Sequence, residues 1–474
     1  MFKPMINLCT STEEVKAYLR DSAEYIFRRV PELAGCIMIT ASEYPSHCWC
    51  RSGWSIDKPG EVIGEVATCP RCRERTPQEV VGEVVRLVRD GARAARPDAE
   101  VIVWNWSWSM WEPDPQPGVL AALPDDVIVM GDYERGEPTQ ALGFEYMNDE
   151  YNLKVIGPSQ RFRGVADFLR ERGRPVYARI QIGTTHENPV VPYLPVLPNV
   201  ARKYHTLRET GVAGMMTCWN FGNMPSVVTE VAGEFTWGPQ EAVREGLLRV
   251  ARRKFGPEAA EEVVTAWEIL SEAHDAFPGS IPVMYNGPVS RGPAFLFMFD
   301  RVDKPLPASW LLVKDTGGDQ FEWTVPFGPE KVLECYRSEV AKGQEALALM
   351  KCALAKTQGD DRRRLEREIG VAQFHLIQTA SAANVVEFLL LRNSYYEATD
   401  AETKAKLLAD IETVCREEIA NAEQALPLLD ADPRLGWHGE AYGYMISRPL
   451  VEEKLAHLRE LVEKRLPGER ERLG

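Results

Sequence analysis

Residues 35–45 read GCIMITASEYP, and the fold turns on their first half, because CIMIT at 36–40 is apolar without alternation and gives way at once to small and polar residues. A strand with one wet face alternates apolar and polar side chains. An unbroken apolar run of this length predicts a strand covered on both faces, as in a parallel sheet. Working backward, residues 11–30 set Val15, Tyr18, Leu19, Ile26, Phe27 and Val30 at helical spacing behind a Ser11/Glu14 capping box, so a helix precedes the strand. Working forward, Thr76-Pro77 with Glu79 opens a helix carrying Val80, Val81, Val84, Val85 and Val88, and EVIVW at 100–104 is the next buried strand. Three more strands read as DVIVMG (126–131), PVYARIQI (175–182) and VAGMMTCW (212–219), with helices over 159–172 and 198–209 between the later ones.

Buried strands alternating with amphipathic helices predict an α/β fold of the (β/α)8-type TIM barrel, with its site at the C-terminal ends of the strands. Five β/α units are countable where a closed barrel needs about eight. The expectation is therefore an incomplete barrel, its remaining units lying upstream of Met1, replaced by an open sheet, or supplied by another chain. The barrel domain is assigned to residues 1–255, with a Cys-rich loop at 44–75. A Pro-, Gly- and aromatic-rich connecting subdomain follows at 256–328, including the strand-like runs AFLFMF and FEWTV. Residues 329–474 form a helical domain, with periodic apolar stretches at 330–356, 361–397, 401–426 and 448–466 that suggest an antiparallel bundle.

Composition narrows the classes of function. The 474 residues carry 55 Lys and Arg against 70 Asp and Glu, a net charge of -15 that repels a phosphate backbone, so nucleic acid is not an expected partner. With no run of eighteen apolar residues, no membrane span is expected. The start MFKPMINLCT lacks the basic and apolar regions of a secretory signal, which makes the chain cytoplasmic by expectation. A homo-oligomer is compatible with the sequence.

Chemistry concentrates just past the strands. Glu43, three residues beyond CIMIT and beside Tyr44 and Pro45, is placed to protonate a leaving group, and partial desolvation there raises a carboxyl toward the range of an acid catalyst. Glycoside hydrolysis normally uses a second carboxylate. The strand-end candidates are Asp132 and Glu134 in GDYERG, Glu145 in GFEYMNDE and Glu187 in GTTHENP, with Asp132 ranked first and Glu187 second because His186 stands beside it. Trp104, Trp106, Trp108 and Trp111 follow the second strand, Tyr133 the third, and Trp219 the fifth. Indole faces stack on the C–H faces of sugars, while Asn105, Asn220 and His186 suit their hydroxyls. The irregular stretch DPRLGWHGEAYGYM at 432–445 interrupts the helical domain and offers His438, Glu440 and Tyr442 to the barrel mouth.

Of the ten cysteines, Cys48, Cys50, Cys69 and Cys72 fall within 25 residues, as a C-x-C and a C-x-x-C knuckle. Two such pairs are a zinc-binding pattern, and four thiolates would close the tetrahedron, so a structural zinc is expected and no organic cofactor. His47 is an alternative ligand.

With strand-end Glu43 and TCWNFG at 217–222 in view, residues 11–255 resemble the hexosaminidase-like clan of glycoside hydrolases, family 20 and related families with a helical C-terminal domain. The resemblance implies that Glu43 is the general acid/base, that Trp219 matches the tryptophan of the eighth barrel strand, and that Trp104 or Trp106 matches the fifth-strand aromatic. In family 20 an Asp precedes the acid to orient a 2-acetamido group; here that place is Ser42. The reading is an exo-acting glycosidase on a hexose or N-acetylhexosamine glycoside. The alternatives are a non-catalytic carbohydrate-binding or scaffold protein and a zinc-dependent hydrolase.

Overall fold

A computed structural model of the chain describes residues 7–42, 46–54, 61–239, 242–301 and 321–473. It divides into two compact units that interleave along the sequence: one holds the chain up to Glu137 with Pro158–Ile180 and Thr210–Met216, the other Pro138–Gly157, Gln181–Glu209 and the chain from Thr217 onward.

In the first unit the five expected strands, β1 (Gly35–Ile39), β2 (Glu100–Trp104), β3 (Ile128–Asp132), β4 (Val176–Arg179) and β5 (Gly214–Met216), form one parallel sheet in that order. Each strand lying beside its predecessor is the winding of a β/α barrel. The sheet is open: among the described residues β1 pairs with β2 alone and β5 with β4 alone, so this is an incomplete barrel rather than a closed one.

Helix α1 (Glu13–Arg29) is capped by Thr12, whose Oγ1 accepts from the Val15 N–H at 3.4 Å, one residue later than the predicted Ser11 cap. Its expected apolar face is only partly covered, since Phe27 is buried while Tyr18, Ile26 and Val30 are exposed. Helix α2 (Pro77–Ala95) realises the Thr76/Glu79 capping box in both directions, at 3.2 and 2.8 Å. It crosses α1 at Gly91, where a Cβ would stand 2.0 Å from the Arg20 carbonyl oxygen. Helix α3 (Gln160–Arg170) begins at Ser159, whose hydroxyl accepts from the Phe162 N–H at 3.1 Å.

The second unit is mainly helical. After α4 (Leu197–Thr210) it contains α5 (Ala260–His274), α6 (Pro329–Ala355), α7 (Gly359–Glu397), α8 (Ala401–Ala431) and α9 (Arg448–Glu460); α6 packs on α5 and α7, α7 on α8, and α8 on α9. Three expectations fail here. FEWTV at 321–325 forms a 3-10 turn over Glu322–Thr324 and not a strand. AFLFMF at 294–299 is not a strand but irregular chain whose Phe297 and Phe299 are buried among Phe388, Leu389, Leu408 and Ile411. Apolar content there reflects core packing rather than sheet pairing. Helix α8 also continues through Pro427 to Ala431 instead of ending at 426. One helix, α7, is long and apolar enough to cross a membrane, contrary to the sequence expectation, but 72% of its most apolar window is buried inside the protein, which is the position of a core helix.

Candidate active site

Glu43 lies outside the described residues, so the site is built from the other candidates. In the first unit Asp132 ends β3 and is buried. Its Oδ1 accepts from Trp104 Nε1 at 2.7 Å and its Oδ2 from Arg135 Nη1 at 3.1 Å, while its own N–H donates to Asn105 Oδ1 at 3.1 Å. The Arg135 guanidinium sits 3.9 Å over the Trp106 ring, and Trp106 lies 5.2 Å from Trp104. Asp132 is thus a buried carboxyl with each oxygen bonded to a donor, one of them a guanidinium, an arrangement that holds Trp104 and Arg135 in place. Arg179, at the end of β4, is fully buried with its guanidinium 5.6 Å from the Trp104 ring. Tyr133 is buried edge-on to Phe162 at 5.0 Å, as core. Of the tryptophans expected after β2, Trp108 and Trp111 are buried ties: Trp108 Nε1 donates to Thr40 Oγ1 at 2.8 Å and Trp111 Nε1 to the Ser52 carbonyl at 3.0 Å. They fasten the loop after β1 to the one after β2.

The cysteines gather differently from expectation. Cys48, Cys69 and Cys72 converge, but the fourth sulfur is that of Cys9, all four lying within 4.8 Å of one another. Cys50 points instead at the Thr40 carbonyl, 3.7 Å away, and His47 Nε2 meets the same oxygen at 2.6 Å. Spacing alone missed Cys9 because it stands 39 residues ahead of Cys48 in sequence.

In the second unit the segment 181–200 is buried throughout. Glu187 is fully enclosed and accepts from the Leu153 N–H at 2.7 Å, Thr185 Oγ1 at 2.7 Å and His274 Nε2 at 2.9 Å. Burial pushes its carboxyl up, but the His274 charge and these donors overcome that and hold it below the usual range. The expected His186 partnership is replaced by His274, and Glu187 pins a loop from within.

His186 packs instead among Tyr285 (4.4 Å), Phe221 (4.9 Å) and Tyr151 (5.7 Å), with Nε2 3.7 Å from Glu440 Oε2. Glu440 also accepts from Tyr151 OH at 2.6 Å, and Tyr285 OH donates to Glu150. His438 is buried, and its Nδ1 accepts the N–H groups of Glu440 (3.2 Å) and Ala441 (3.1 Å); burial drives it down to about 3, so it stays neutral and shapes the turn that presents Glu440. The Gly-rich 432–445 stretch therefore meets the loop after β5, where Gly439 touches the Asn220 carbonyl so closely that a Cβ would lie 2.0 Å from it. Trp219 is half-buried, its N–H donating to Gln181 Oε1 at 3.3 Å. Sequence reasoning missed Arg135, Arg179, Glu150, Tyr151 and Tyr285. For Arg179 there was a signal, a charged residue inside the buried run PVYARIQI.

No protein-family model matches the sequence, and no curated protein does. Solved structures do match. A GH138 enzyme targeting pectin rhamnogalacturonan II aligns with a TM-score of 0.58 and 11% identity over 99% of this chain and 66% of that one. A family 89 glycoside hydrolase from Clostridium perfringens, in complex with PUGNAc, aligns with a TM-score of 0.41 and 10% identity over 82% of this chain and 41% of that one. The chain spans just under two thirds of the GH138 enzyme, and what it shares with it is a glycoside hydrolase fold.

Proposed function

We propose that the chain is an exo-acting glycosidase on a hexose or N-acetylhexosamine glycoside, with Glu43 as general acid/base. The observation that carries this reading is the gathering, at the C-terminal ends of β2 and β3, of a buried carboxylate, a guanidinium and two indoles on a glycoside hydrolase fold. Strand ends of that kind are where barrel enzymes place their chemistry. Trp106, half-buried, offers a wall for the sugar's C–H face and is backed by the fully buried Trp104, and Asp132, with both oxygens already bonded, acts as a positioning residue for Trp104 and Arg135 rather than as nucleophile. In the second unit, the partly exposed Glu440, held by the buried Tyr151 and His186, offers a carboxylate suited to a sugar hydroxyl.

The test is hydrolysis of aryl glycosides with and without a 2-acetamido group by wild type and by Glu43→Gln. The expected result is turnover by wild type and a loss of about 10²–10⁴-fold in the variant, the usual worth of a positioned acid/base. Sugar binding without turnover by wild type would favour the carbohydrate-binding reading, and an undiminished rate in Glu43→Gln would remove Glu43 from the chemistry.

A further inference from the structure

Four sulfurs from three separate segments meet in the first unit, those of Cys9, Cys48, Cys69 and Cys72. None is engaged in a disulfide, and a disulfide needs sulfurs about 2.05 Å apart. Here Cys9 Sγ stands 3.7 Å from Cys69 Sγ and 3.6 Å from Cys72 Sγ. With Zn–S bonds of about 2.3 Å, the edge of a regular ZnS4 tetrahedron is about 3.8 Å, so these separations already approximate a coordination polyhedron.

The surroundings fit the charge such a centre carries. Four thiolates around Zn²⁺ leave two negative charges, and donors point at the sulfurs: the Cys72 N–H lies 3.4 Å from Cys69 Sγ, and Ser11 Oγ lies 3.3 Å from Cys72 Sγ. Arg75 Nη1 in turn donates to Ser11 Oγ at 3.1 Å, which orients that hydroxyl toward the thiolate. Outer donors of this kind fix ligand orientation and moderate thiolate charge. The sequence CPRCRER adds Arg71 and Arg73 beside the knuckle.

We infer that Cys9, Cys48, Cys69 and Cys72 form a structural zinc site, with Cys9 in place of Cys50. Four protein sulfurs fill the tetrahedron, so the ion has no open position for water and serves as a staple rather than a Lewis acid. It ties the segment ahead of α1 to the turn after β1 and to the segment leading into α2. The inference is independent of the glycosidase reading.

Metal analysis of the purified full-length chain, with Cys9→Ser and Cys50→Ser in parallel, tests it. The expected result is about one zinc per wild-type chain, matching this four-ligand site, retained in Cys50→Ser and lost in Cys9→Ser. Should Cys9→Ser fail to fold, Co²⁺ reconstitution of the wild type decides, because a tetrahedral tetrathiolate gives intense ligand-field and sulfur-to-metal charge-transfer bands. A reduced wild-type chain that takes up neither Zn²⁺ nor Co²⁺ overturns the proposal, as does zinc loss in Cys50→Ser with zinc retained in Cys9→Ser.

Discussion

His274 stands fully inside the second unit between two carboxylates, Glu187 at 2.9 Å from Nε2 and Glu339 at 3.3 Å from Nδ1. Glu339 also accepts from His375 Nε2 at 3.2 Å, and the Nδ1 of His375 is fixed by Asn188 Nδ2 at 2.9 Å. Burial opposes charging His274 and Glu339, but the carboxylates lift His274 to about 10, and the two histidines hold Glu339 down at about 2. The imidazolium's share of stability is complete below its ordinary value of 6.5 and fades as pH rises through the folded value; the share of Glu339 is complete above 4.5 and is lost as pH falls through about 2. The network therefore contributes most between those two ordinary values. His274→Ala removes the histidine from buried Glu187 and leaves Glu339 with His375 alone, and its expected cost is about 3–5 kcal/mol by urea unfolding. The gap between wild type and variant should be widest in that middle window and narrow on either side. A gap of constant size across pH would show that the loss is one of packing and not of charge.

Elements were the most legible part of the sequence, because strand type and helix starts depend on neighbours a few residues apart. All five strands and the Thr76 capping box fall where their residues predict, but β1 and β5, at the open edges of the sheet, are only partly covered, with Ile37 exposed, rather than buried on both faces. What escaped was long-range: Cys9 meeting Cys72, Glu187 meeting His274, and Glu440 meeting Tyr151 join residues 63, 87 and 289 apart, and no local pattern records such pairings. The run at 294–299 misled for the same reason, as apolar residues signal burial without saying against what. At the crossing of α1 and α2 a local residue does carry a long-range requirement. Gly91 is helical, so an alanine there should help by propensity alone, by about 1 kcal/mol. The added methyl would instead strike the Arg20 carbonyl at 2.0 Å, which is backbone and cannot rotate aside. Gly91→Ala is expected to lower stability by about 1–3 kcal/mol, the cost of forcing two helices apart. Stabilisation by thermal or urea unfolding would mean the crossing is looser than its geometry.

At the scale of the whole molecule the net charge of -15 sets a field that any substrate meets before it meets a side chain. For a neutral glycoside that field is irrelevant. An acidic glycoside is repelled on approach, and salt relieves the repulsion because the screening length shrinks from about 30 Å at 0.01 M to about 8 Å at 0.15 M. Near Trp104 and Trp106, Arg135 is paired with Asp132 and Arg179 is fully buried, so neither offers an exposed positive surface that offsets this field. Salt therefore reads out the long-range repulsion directly. On the glycosidase reading, kcat/KM for a neutral aryl glycoside should be flat over this salt range, whereas that for an aryl uronide should rise. A uronide rate that falls with salt would mean that an accessible basic surface, and not the global charge, governs approach.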